Sequence, residues 1–282
     1  MLLEIFVFIV IVAFICEFID SSLGMGYGTI LSPFLLIMGF PVLEIVPSIL
    51  ITQAVGGIIA SASHHKHKNG DFSLKNKSND GFFLRIKKIG LVRFVKEELS
   101  EDTHTVLAIT VLGILATIFS TLVAISVSKQ ILSWYITILV LIMALFILLK
   151  FSLKYSSKRM IFVGLISAFN KGLSGGGFGP IVTGCQIVLG KKEKNSVACT
   201  TLSEPLICIT AFVSYFFLNG FAAFSLVSAL GIGAIFGGLI GPSFTKRVDK
   251  NQFRYIIGGI LLILGFLSAM TLLGFLTLKI SL

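Results

Sequence analysis

The chain has 282 residues, 55% of them hydrophobic and only 13% charged, with a mean hydropathy of +0.99. A soluble domain of this length carries roughly a quarter charged residues, so the composition excludes an ordinary water-soluble fold and points to an all-α integral membrane protein. The net charge of +10, which in a soluble protein would suggest nucleic acid, is better explained by basic residues gathered in cytoplasmic loops. No nucleic-acid partner is expected.

In chain order the apolar segments are 2–19, 25–40, 42–63, 104–128, 130–150, 160–170, 176–190, 194–218, 221–245 and 254–278. The first carries Glu4 where a secretory leader would carry basic residues, and no small-residue cleavage site follows, so it is expected to be retained. Loop 64–103 holds nine Lys and Arg. Placing it in the cytoplasm and alternating sides puts 150–159, 191–194 and 246–254 inside too. All the basic residues except Lys129, Lys171 and Lys279 then share the cytoplasmic side, as the positive-inside rule requires. Both termini are expected outside.

Glycine interrupts this pattern twice, in "IDSSLGMGYGT" (Ile19 to Thr29) and in "NKGLSGGGFGP" (Asn170 to Pro180). Overlaying 11–60 on 162–211 without gaps pairs Gly24 with Gly175, Gly26 with Gly177, Gly28 with Gly179 and Gly39 with Gly190. Asp20 then meets Lys171, Tyr27 meets Phe178, and Thr52-Gln53 meets Ser203-Glu204; a shift of one residue adds Asn69-Gly70 against Asn219-Gly220. The chain thus divides into repeats 1–150 and 151–282, each of five segments. Five is odd, so the repeats are expected to lie inverted in the membrane, a transporter architecture with its site at the repeat interface. The charges agree: loop 40–42 has none while 190–194 has three lysines, and basic loop 64–103 corresponds to neutral 219–220. Segment 160–170 is short, because eleven helical residues cover about 17 Å, roughly half the hydrocarbon thickness. Each repeat is therefore expected to contain a glycine-tipped broken or re-entrant helix pair.

Irregular backbone at membrane depth persists only where protein buries it or it lines a cavity. Glycines let a ligand approach the backbone, and the helix that restarts after a break offers N–H groups and a dipole that favour an anion. Lys171 adds a positive charge and Ser174 a hydroxyl. The candidate substrate-binding set is Gly24, Gly26, Tyr27, Gly28, Thr52, Gln53, Lys171, Ser174, Gly175, Gly176, Gly177 and Ser203. Close helix packing is the alternative use of such glycines, and the one assigned to Gly233, Gly237 and Gly241. Acids inside membrane segments are costly and call for a functional reading, which makes Asp20, Glu204 and Glu17 candidates for proton or ion coupling. A mutual Asp20–Lys171 ion pair, and a structural partnership for Glu204 with a neighbouring helix, are the alternatives. Glu44 reads as a helix-start residue favoured by the dipole.

The cysteines, Cys16, Cys185, Cys199 and Cys208, lie within apolar segments without paired spacing, so neither a disulfide framework nor a zinc site is expected. His64, His65 and His67 read as part of the basic loop rather than as a metal site. No cofactor is implied. The stretch "GFFLRIKKIGLVRFVKEEL" mixes aromatic, aliphatic and basic residues, as helices lying on anionic lipid do, or it docks a cytoplasmic partner. Trp134, Tyr135 and Tyr155 sit near segment ends, as interfacial aromatics do.

The paired glycine motifs, Gly24 to Pro33 and Gly172 to Pro180, together with the polar residues of the following helices and "HHKHKNGDF" (His64 to Phe72), resemble those of the TauE/SafE family of sulfite exporters and anion permeases. The likeness spans roughly 11–72 and 105–278. It implies a secondary transporter, permease or exporter, that carries sulfite, a sulfonate or another small sulfur-containing or organic anion across the cytoplasmic membrane. The partners expected are that anion and the lipid bilayer; a co-transported proton or ion and a homo-oligomer stay open. Ser73 to Asp102 looks like an insertion relative to the family. A passive anion channel and a non-transporting membrane assembly partner are the competing readings. A membrane-embedded enzyme finds no support, since no segment carries His with an acid, Ser with His, or a Cys–His pair at helical spacing.

Overall fold

Hydrocarbon supplies no partners for backbone N–H and C=O groups, so apolar segments of this kind can satisfy them only as helices. The computed structural model describes residues 1–72, 99–149, 157–188, 190–220, 223–247 and 250–275. Among these it shows ten helices: α1 (Leu3–Leu23), α2 (Tyr27–Ile37), α3 (Val42–Lys66), α4 (Glu101–Ser126), α5 (Lys129–Leu148), α6 (Ser157–Ser174), α7 (Phe178–Val188), α8 (Glu193–Asn219), α9 (Phe224–Phe244) and α10 (Lys250–Leu272). Among the described residues six stretches are long and apolar enough to cross a membrane: α3, α4, α5, α8, α9 and Tyr255–Leu272 of α10. The protein is a multi-pass membrane protein. Helices α2 and α7 have eleven residues each, too few to span.

Local chemistry sets the helix ends. Ser100 and Ser128 are N-caps whose hydroxyls accept from the amides of Thr103 (3.2 Å) and Ile131 (3.3 Å). α1 stops at Gly24, where φ is +75°, and the Gly24 amide donates to the Asp20 carbonyl at 2.6 Å. α6 stops in the same way: Gly175 has φ +72° and its amide donates to the Lys171 carbonyl at 2.8 Å. A left-handed residue closing the last turn is the usual glycine helix stop.

The outer surface is apolar, unlike that of a soluble protein, and encloses a core that is itself largely apolar. Leu115, Phe119, Phe217, Phe224, Ile263 and Phe266 are all at least 60% exposed, while Asp20, Gln53, Lys171 and Glu204 are buried. Apolar side chains on the outside match a lipid solvent, and the polar ones are withdrawn from it. Helices of the two sequence halves are interleaved. α1 packs most extensively on α9, and α4 on α6; α3 lies between α9 and α8, α8 contacts α4, and α5 pairs with α10. Gly233 and Gly237 make the α1–α9 contact close, since a Cβ on Gly237 would stand 2.7 Å from Glu17 Cβ and 2.8 Å from the Phe18 nitrogen.

Three boundaries differ from expectation. The segment expected at 160–170 continues to Ser174 as an 18-residue helix, so Lys171 sits in a helical turn rather than on a loop tip. Asp20 is likewise inside α1, and the first break is confined to Gly24–Gly26. His64 belongs to α3 and is buried while His65 and His67 are exposed; its Nε2 lies 2.9 Å from the Ser21 carbonyl and its Nδ1 2.9 Å from Asn69 Nδ2. Glu44 lies in the first turn of α3. The stretch 81–98 and Tyr155 fall outside the described residues.

The breaks pack backbone to backbone. A Cβ on Gly28 would overlap the Gly175 carbonyl oxygen, and one on Gly176 would stand 2.9 Å from the Gly28 carbonyl. Gly28→Ala is expected to cost about 1–3 kcal/mol or more through overpacking and to lower the melting temperature in detergent. Gly164→Ala, where an added Cβ meets nothing within 4 Å, serves as the neutral control in the same helix system.

Candidate functional site

Four polar side chains converge from four helices. The Lys171 ammonium of α6 forms an ion pair with Glu204 Oε1 of α8 at 2.8 Å and donates to Gln53 Oε1 of α3. Gln53 Nε2 donates to Asp20 Oδ2 of α1 at 3.2 Å, and Asp20 Oδ1 accepts from the Tyr27 amide at 3.3 Å. Asp20 thus meets Lys171 only through Gln53, and the direct ion pair joins Lys171 to Glu204. All four side chains are at most 6% exposed. Glu17 is buried one helical turn before Asp20, and its Oε2 has no hydrogen-bond partner.

One bond of this network recurs at the sequence offset that relates the two glycine stretches. Asp20 corresponds to Lys171 and Gln53 to Glu204, so the Asp20–Gln53 bond is the repeat copy of the Lys171–Glu204 pair. About three turns further along α3 and α8, His64 Nε2 reaches the Ser21 carbonyl, and the Tyr215 hydroxyl donates to the Gly172 carbonyl at 2.9 Å. His64 and Ser21 overlay on Tyr215 and Gly172 at the same offset.

The breaks beside the network hold each other. The Ser32 hydroxyl donates to the Ser174 carbonyl at 2.6 Å, and the Thr183 hydroxyl donates to the Gly24 carbonyl at 2.9 Å. The Gly177 amide donates to Thr29 Oγ1 at 3.1 Å, and the Gly176 amide to Ser174 Oγ at 3.1 Å. Added Cβ atoms on Gly28 and Gly179 would overlap the carbonyl oxygens of Gly175 and Gly24 respectively. These are again repeat-related pairs with the partners exchanged.

Of the residues singled out in the sequence, Gly24, Gly26, Gly175, Gly176 and Gly177 form the two breaks, Gly28 in the first turn of α2 packs against Gly175, and Ser174 caps the second break. Tyr27 and Thr52 are occupied with each other, the tyrosine hydroxyl donating to Thr52 Oγ1 at 2.8 Å and lying 3.3 Å from the Leu230 carbonyl. Ser203 is buried and donates to the Thr200 carbonyl of its own helix at 2.9 Å. Reasoning from sequence missed Thr29, Ser32 and Thr183. Their signal was available: Ser32 and Thr183 are hydroxyl residues at matching positions after the two breaks. Tyr135, expected at the interface, donates its hydroxyl to Asn170 Oδ1 next to Lys171. Among the described residues no group of His, Cys, Asp and Glu is disposed to hold a metal ion.

The family model "Sulfite exporter TauE/SafE" matches residues 9–75 and 87–267, most of the chain. The internal stretch it leaves out, 76–86, is narrower than the expected insertion at 73–102. No curated protein and no solved structure matches the chain.

A buried ion pair that loses one partner leaves an uncompensated charge, which costs about 3–5 kcal/mol. Lys171→Met alone is therefore expected to destabilise the protein by that order. Adding Glu204→Gln should restore most of the loss. Denaturant unfolding in detergent of the double variant and of both single variants measures the coupling; a double-variant loss equal to the sum of the Lys171→Met and Glu204→Gln losses would show that the pair is not energetically coupled.

Proposed function

This chain belongs to the sulfite exporter TauE/SafE family, and from that premise we propose that it is a secondary carrier of a small anion in the cytoplasmic membrane. The cargo is sulfite, a sulfonate or another small sulfur-containing or organic anion. Loop 64–103 faces the cytoplasm and both termini face outside, in line with the distribution of basic residues.

The observation that carries this reading is the mutual packing of the two breaks beside a buried lysine. Gly28 meets Gly175 and Gly179 meets Gly24, a pairing in which each repeat offers the other the same surface. Such exchange is what a twofold axis in the membrane plane produces, and it supports two inverted repeats, each with a glycine-tipped helix break. α2 and α7 begin within this contact, so their first-turn amides and dipoles point a positive potential at it. Lys171 lies in the last turn of α6 and supplies the full charge. The anion takes the place of the Glu204 carboxylate on Lys171.

Lys171 is 1% exposed and Glu204 4%, so the site is closed to both sides in this conformation. A carrier passes through such a state, whereas a passive channel needs a continuous polar path. The interleaving of helices defines what moves. The bodies that rock in alternating access are mixed ones, α1 with α3 and α9 against α6 with α4 and α8, each drawn from both repeats. A ligand site between two such bodies opens to one side as it closes to the other.

Uptake of labelled sulfite, sulfate, thiosulfate and sulfonates into proteoliposomes tests this. A transported anion should enter saturably and faster when the same anion fills the far side. The double variant Lys171→Met with Glu204→Gln, which removes both members of the ion pair together, should lose at least tenfold in rate. Flux that is unsaturable and indifferent to the far side would support a channel; undiminished flux in the double variant would remove Lys171 from the site.

A further inference from the structure

The charge count around Lys171 sets a condition on transport. Three carboxylates, Glu17, Asp20 and Glu204, share a buried cluster with one cation, and Glu17 Oε2 has no partner at all. Asp20 is already bonded to Gln53 and to the Tyr27 amide, and Gln53 is shared between Asp20 and Lys171. The titratable and charged groups that face this cluster are Cys16, Glu17 and Asp20 on α1, Tyr27 on α2, Lys171 on α6, and Glu204 and Cys208 on α8. α3 contributes the neutral Gln53. α9 carries no titratable side chain, and those of α4 (Glu101, Asp102 and His104) lie in its first turn, where Asp102 pairs with Lys191 at 2.9 Å. Lys171 is therefore the one cation facing the three acids among the described residues.

When an anion takes Lys171, Glu204 loses its partner. A free carboxylate would then stand in the membrane interior beside two further acids, with no cation to replace the lysine. Stranding a buried charge is far more costly than neutralising it. The acids are not disposed as a metal site, which leaves a proton as the compensating charge. We infer that anion and proton travel together: each monoanion that takes Lys171 releases Glu204, and Glu204 takes up one proton from the side on which the anion entered. The step forms one O–H bond on the Glu204 carboxylate and breaks one ion pair. Its charge balances, since the anion's negative charge enters with the proton's positive one. On the other side, departure of the anion returns Lys171 to Glu204, and the proton leaves with it. Coupled transport of a monoanion is then electroneutral.

This inference rests on the anion-carrier reading, and binding measurements on the purified protein separate the two. Methanesulfonate and thiosulfate are suitable probes because they do not titrate near neutral pH. With one proton taken up per monoanion, the Kd for methanesulfonate should fall about tenfold for each unit that pH is lowered, over the range where Glu204 must protonate to release Lys171. Titration calorimetry in two buffers of different ionisation heat should give about one proton taken up per anion bound. In Glu204→Gln, where the anion displaces no carboxylate from Lys171, binding should become independent of pH and proton uptake should vanish. An infrared band of protonated carboxylic acid should grow on anion addition in the parent and not in Glu204→Gln.

Binding that is independent of pH, with no proton taken up, would overturn the inference and leave the anion site standing. Proton uptake that persists in Glu204→Gln would overturn the assignment to Glu204. If neither probe nor any member of the wider anion panel binds, the carrier reading falls and the proton coupling falls with it.

Discussion

A helix that stops inside hydrocarbon must find partners for its ends within the protein, because the lipid offers none. This protein stops two helices at glycines packed inside the protein, and each stop is completed by the other. The carbonyls of Gly24 and Ser174 accept from hydroxyls that the other half of the chain supplies, Thr183 and Ser32. The Gly177 amide donates to Thr29. Neither break is satisfied alone, so the two halves of the chain have to assemble with their breaks in contact. The interleaved packing of α1 on α9 and α4 on α6 is the larger consequence of the same requirement.

The same constraint acts on charge. An ion pair taken out of water must recover its hydration from neighbouring hydrogen bonds, and is otherwise a net cost. Lys171 recovers part of it from Gln53, and Gln53 also engages Asp20. A buried salt bridge of this kind is weak evidence for stability but a suitable switch, because one partner can be exchanged for a ligand of the same sign. The surplus of acids over lysines then makes a proton the natural companion of that exchange.

Much of this was legible in the sequence, for identifiable reasons. Glycines at 24, 26, 28, 175, 177 and 179 recur at a constant offset, and buried intramembrane charge is rare enough to draw attention to Asp20, Lys171 and Glu204 without coordinates. What escaped is equally specific. Asn170, Lys171 and Gly172 read as the end of an apolar segment, yet α6 continues through them, because Tyr135 and Glu204 satisfy the two polar side chains and Gly172 packs closely against Ser120. His64 reads as one member of a basic cluster, although it turns inward to a backbone carbonyl of α1. Sequence spacing reports what lies on one helix, whereas these outcomes depend on which other helix lies beside it. The exchange of helices between halves is invisible for the same reason.

The central claim is that an anion replaces the Glu204 carboxylate on Lys171, between the two touching breaks. The most direct measurement is an experimental structure with selenite or selenate bound, in which anomalous scattering locates the selenium. The account predicts the peak within hydrogen-bond reach of Lys171 Nζ, between Gly28 and Gly175, with Glu204 turned away. A bound anion elsewhere, with the Lys171–Glu204 pair intact, would contradict it.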